Sequence, residues 1–70
     1  MTQRERILKY LEDFGSITQL DAMRDLGIMR LASRVSDLKK DGYKIIKHTE
    51  KGVNRYGDAT FYARYELVKE

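Results

Sequence analysis

Apolar residues recur at helical spacing through the first half of the chain and in alternation near its end. Ile7, Leu8, Leu11 and Phe14 form one stripe on a helix of about 3.6 residues per turn. Thr2 before them, with Glu5 three residues on, makes a capping-box pattern, and Gly15 follows as a C-terminal stop. Ser16-Ile17 is long enough only for a stub of strand. Thr18 then caps a second helix, with Asp21 well placed in its first turn. Leu20, Met23 and Leu26 are its expected buried face, and Ala22 is small enough for close helix contact. Gly27 ends it, and Ile28 folds back as the apolar residue beyond the stop. Leu31, Ala32, Val35 and Leu38 predict a third helix from about Met29 to Lys40, closed by Asp41-Gly42. Two helices joined by a tight glycine-containing turn are the signature of a helix-turn-helix.

After Gly42 the period changes. Tyr43 and Ile45 alternate with Lys44, although Ile46 interrupts the pattern. Phe61, Ala63, Tyr65 and Leu67 alternate strictly with Thr60, Tyr62, Arg64 and Glu66, which predicts a half-buried strand. Between them, Lys51 to Asp58 holds two glycines, an asparagine and an aspartate, and reads as a hairpin loop. The expected architecture is one α+β domain over residues 1–70: three helices followed by a two-stranded antiparallel hairpin.

Composition narrows the function. The chain has 70 residues, no cysteine and one histidine, His48, which excludes disulfides and thiolate metal sites. No cofactor is expected. No apolar run approaches the roughly 20 residues that span a bilayer, and the polar start Met1 to Glu5 is unlike a signal peptide, so a cytoplasmic location is expected and no membrane partner. Catalysis needs converging groups in a pocket; adjacent Glu12 and Asp13 point about 100° apart on a helix and make no carboxylate pair. An enzyme is not expected. Charge is uneven: residues 1–28 carry four Lys/Arg against five Asp/Glu, and residues 29–70 carry ten against six. The positive C-terminal part suits an anionic partner.

The run from Leu26 to Tyr43, with Ala32-Ser33-Arg34-Val35-Ser36-Asp37-Leu38 leading into Gly42-Tyr43, resembles small winged helix-turn-helix proteins of bacteriophages and prophages. The segments Asn54-Arg55-Tyr56-Gly57 and Ala63-Arg64-Tyr65-Glu66-Leu67 strengthen the likeness, which covers nearly the whole chain. The resemblance implies a winged helix, double-stranded DNA as partner, transcription regulation and a bacterial host cell. A second copy on DNA, or another phage or bacterial protein, is the further partner class it leaves open.

On the third helix, the arc opposite Leu31, Val35 and Leu38 holds Met29, Arg30, Ser33, Asp37 and Lys40, with Ser36 and Arg34 at its borders. Arg30, Ser33 and Arg34 have the chemistry to read base edges in a major groove. Asp37, repelled by phosphate, is assigned to orient a neighbouring arginine. The hairpin loop offers Lys51, Asn54 and Arg55 to phosphate or to a narrow minor groove. Thr18 and Gln19 can meet phosphate at the start of the second helix, Thr18 being first a cap. His48 is assigned to the surface, Met23 to the core, and Tyr56 to packing across the hairpin. The competing reading is a protein-docking winged helix without base reading, anchored by Met29 and Tyr56.

Overall fold

In the computed structural model, which describes residues 1–68, Thr2 opens helix α1 (Gln3–Phe14). Its hydroxyl accepts from the Glu5 N–H and Glu5 Oε1 accepts from the Thr2 N–H, both at 3.1 Å, so the predicted capping box is formed. Gly15 stops the helix, its N–H on the Leu11 carbonyl at 2.8 Å. Strand β1 (Ser16–Thr18) follows. Thr18 ends it by capping α2 (Gln19–Asp21), again through a capping box, with Asp21 as the reciprocal partner. The helix then widens into a π-helical turn, Ala22–Leu26. Ile28 folds back as expected: its N–H reaches the Ala22 carbonyl at 2.9 Å and its side chain is buried.

Helix α3 spans Leu31–Lys40, so Met29 lies outside it and Arg30 is its N-cap residue. Strands β2 (Ile45–Val53) and β3 (Ala59–Leu67) form the hairpin. β1 joins them in a three-stranded antiparallel sheet of order β1-β3-β2, with Ile17 opposite Tyr65 and Ile45 opposite Leu67. The stub therefore carries more than its length indicated. Ile17 is fully buried, and it brings the sheet onto a core of Ile7, Leu11, Ala22, Ile28, Leu31, Val35 and Leu38.

Several sequence assignments change. Phe14 is 70% exposed and packs at a tilt against Tyr10, ring centroids 4.6 Å apart, because the chain turns at Gly15 and Ile17 enters the core. Leu20 and Met23 are exposed, and Ala22 is the fully buried residue of that segment. Positions spaced by three drift about 60° per step on a helix, and the wide π turn adds to the drift, so this stripe never shared one face. Ala32 is exposed as well. In the hairpin, Lys51, Gly52 and Val53 belong to β2, and the loop shrinks to Asn54–Asp58. Gly52 reads as a loop residue, yet the Tyr62 ring lies over it, 3.3 Å from where a Cβ would stand, and fills the gap in the strand.

Gly27 sets the corner between α2 and α3 at φ 69°, a left-handed conformation. A Cβ there would touch nothing within 4 Å, so a side chain is opposed by the backbone alone. Gly27→Val is expected to lose about 1–3 kcal/mol in a thermal or urea melt. A variant that melts like the parent would place the strain elsewhere.

Candidate nucleic-acid interface

The corner that presents α3 is held by one side chain. Gln19 donates from Nε2 to the Ile28 carbonyl at 2.9 Å, and its Oε1 accepts from the Leu31 N–H at 2.9 Å. It thus closes the turn and satisfies the first backbone donor of α3, whose N-cap Arg30 makes no side-chain cap. Sequence reasoning placed Gln19 on phosphate. This second task had no signal, since twelve residues of sequence separate Gln19 from Leu31 and no periodicity links them. Thr18 is 6% exposed and its hydroxyl serves the cap of α2, leaving the outer surface of that helix start to others.

Two further contacts fix the frame. The Arg4 guanidinium meets Asp41 at 2.7 Å and ties the start of α1 to the end of α3. Tyr10 donates its hydroxyl to Asp25 at 2.9 Å and ties α1 to the π turn. That hydrogen bond, with Arg24 beside it, holds the Asp25 carboxyl below its ordinary range, and burial together with the same bond raises Tyr10.

Leu31, Val35 and Leu38 face the core, as their spacing predicts. The open arc is rotated from the one a helical wheel gives. Ala32, Ser36, Lys39 and Lys40 are exposed, while Ser33, Arg34 and Asp37 are half-buried on one flank. A wheel knows only the helix itself; neighbouring elements cover one flank more than the other. Arg34 and Asp37 form an ion pair at 3.5 Å, the arrangement that the orienting role of Asp37 requires. Ahead of the helix, Met29 and Arg30 are exposed. Among the described residues, the Arg30 guanidinium has no partner within the chain.

The hairpin brings its own cations. Lys47 and Lys51 stand exposed on β2, and Arg55 is exposed at the tip. Asn54 is occupied locally: its Oδ1 accepts from the Tyr56 N–H at 2.9 Å and from the Asp58 N–H at 3.0 Å. This turn shapes the tip and turns Tyr56 outward, 84% exposed, against the expectation that it packs across the strands. His48 is exposed, as expected, with Nε2 3.4 Å from Glu66. Arg64, half-buried at the base of the sheet, donates to Glu50 at 2.6 Å and to Ser16 Oγ at 3.1 Å. The Glu50 contact raises the Arg64 pKa above its already high ordinary value, and the two hydrogen bonds tie this cation into the sheet.

The arrangement is thus a short helix with an unpartnered arginine at its start, carried on a braced turn beside a cationic hairpin. Among the described residues, no helix is long and apolar enough to cross a membrane. Comparison with known families matches the chain to the winged helix-turn-helix domain over residues 2–70. Neither the curated proteins nor the solved structures yield a significant match. With that match and this geometry, the chain belongs to the winged helix-turn-helix domain family, a family that in general binds DNA.

Proposed function

We propose that the chain is a sequence-specific double-stranded DNA-binding protein, acting as a phage or prophage regulator in a bacterial cell. In this reading α3 enters the major groove and the wing supports it. The observation that carries the proposal is Arg30. It is exposed at the N-cap of α3 and, among the described residues, has no side-chain partner, at the end of the helix that reaches deepest into a groove. Arg34, oriented by Asp37, and Ser33 and Lys40 complete the reading set. Lys51, Arg55 and the wing turn built by Asn54 are assigned to phosphate, while Thr18 and Gln19 are engaged in holding α2 and the turn before α3.

A docking role for protein has one observation in its favour: Met29 and Tyr56 are 68% and 84% exposed. The surrounding cations favour DNA. Arg30→Ala separates base reading from backbone holding. It should weaken binding to the preferred duplex by about 1–3 kcal/mol, with much less loss on random duplex. Arg55→Ala should weaken both duplexes by similar factors, because phosphate carries no sequence. Equal losses on both duplexes for Arg30→Ala would remove the reading role from this residue. Selecting the parent chain's preferred sites from random duplexes shows, by the symmetry of the enriched motif, whether two copies bind together.

A further inference from the structure

The two faces of the wing differ in chemistry. Lys47, Lys51 and Val53 of β2 share a face with Phe61, Ala63 and Tyr65 of β3, and no carboxylate of either strand lies on it. Glu50 and Glu66 lie on the other face, each already engaged, Glu50 by Arg64 at 2.6 Å and Glu66 by the His48 ring at 3.4 Å. The first face begins in the core, at Ile45 and Tyr65, and runs out of it toward the tip. There Phe61 and Val53 are each 69% exposed.

Phe61 has no evident structural task in this position. Its neighbours two residues away on the same strand and face are Ala59 and Ala63, and the residue opposite is Lys51. Small residues on both sides leave the ring unwalled along the strand. Tyr62, on the other face, is different: it is spent on covering Gly52. At the tip, Arg55 stands beside the outward Tyr56. An open ring with Lys51 opposite it, Lys47 further along the same face and no strand carboxylate on that face is a surface for a planar, anionic polymer: bases stack on rings, and cations follow the phosphates. A second copy docked face to face would set these lysines against each other, which like charges oppose. An intact duplex keeps its base faces hidden inside the stack.

We propose that this face of the wing binds unpaired bases of single-stranded DNA adjoining the duplex held by α3, with Phe61 as the stacking ring. The inference rests on the duplex-binding reading above, and its test keeps the two apart. Three labelled probes are titrated by fluorescence anisotropy at one salt concentration: a blunt duplex, the same duplex with a tail of about eight thymidines, and the thymidine oligonucleotide alone. The tail should tighten binding about fivefold or more, the lower end of what stacking one base on a ring provides. Phe61→Ala should abolish that increment and leave the blunt duplex bound as before. Arg30→Ala should weaken blunt and tailed duplexes by the same factor and keep the increment.

Phe61→Trp should retain the increment, and because the chain has no tryptophan, its emission should be quenched by the tailed probe and unchanged by the blunt one. A tail that adds nothing to the parent, or a Phe61→Ala variant that loses equally on both duplexes, overturns the proposal. So does a tailed probe that leaves the Phe61→Trp emission unchanged. Binding of the oligonucleotide without any duplex would support the wing surface and overturn the duplex reading. Absence of all DNA binding overturns both, and a protein that docks on this face would then be sought.

Discussion

Leu31→Ala is expected to cost about 2–5 kcal/mol of folding stability, enough to leave much of so small a protein unfolded at physiological temperature. Leu31 is fully buried among Ile28, Val35 and Leu38, at the first position of α3. Its backbone N–H is held by Gln19 Oε1 at 2.9 Å, so the start of the helix resists collapse into the cavity that truncation leaves. Poor collapse places the cost toward the upper part of the range. Leu20→Ala is the matched comparison. Leu20 is 66% exposed, and its loss should stay within about 0.5 kcal/mol. Urea titrations followed by circular dichroism measure both. Equal costs would mean that α2 presents the face its sequence first indicated, with Leu20 inward, and the core given above would be wrong.

That pair of leucines shows where the sequence was readable. The caps at Thr2 and Thr18, the stops at Gly15 and Gly27 and the fold-back of Ile28 each depend on residues within a few positions, and all were legible. The stripe Leu31, Val35, Leu38 was legible because its spacing keeps one face. Leu20 and Met23 were misread because the π turn is a property of backbone hydrogen bonding that no residue in the segment announces. The hairpin was right in kind and wrong in length. Gly52 resembles a turn residue until the Tyr62 ring is seen over it, a contact between strands. Phe61 followed the alternation of β3, but the helices do not extend far enough to cover it.

The candidate site divides in the same way. Arg30 and the wing cations follow from position and charge and are found exposed. The Arg34–Asp37 pair follows from i,i+3 spacing on a helix. Long-range tasks were out of reach. Gln19 bridges two distant backbone groups, and Arg64 joins Ser16 to Glu50 across the sheet. Neither pairing leaves a periodic trace, so both residues looked available for DNA or for solvent.

If a phosphate backbone lies against α3 and the wing, duplex binding must weaken steeply as salt rises. Lys39, Lys40, Lys47, Lys51 and Arg55 are exposed, and among the described residues none of them is paired within the chain. Each cation that neutralises a phosphate releases condensed counterions, which makes log K fall linearly with log salt by about 0.9 per contact. Five contacts predict a slope of about −4.5, so raising salt from about 50 to about 200 mM should weaken duplex binding roughly 500-fold. Removing one contact, as in Lys51→Ala, should make the slope shallower by about 1. The measurement is the duplex dissociation constant of the parent chain across that salt range. A slope near −4.5 is the predicted result; a slope near zero, or no duplex binding at the lowest salt, would contradict it.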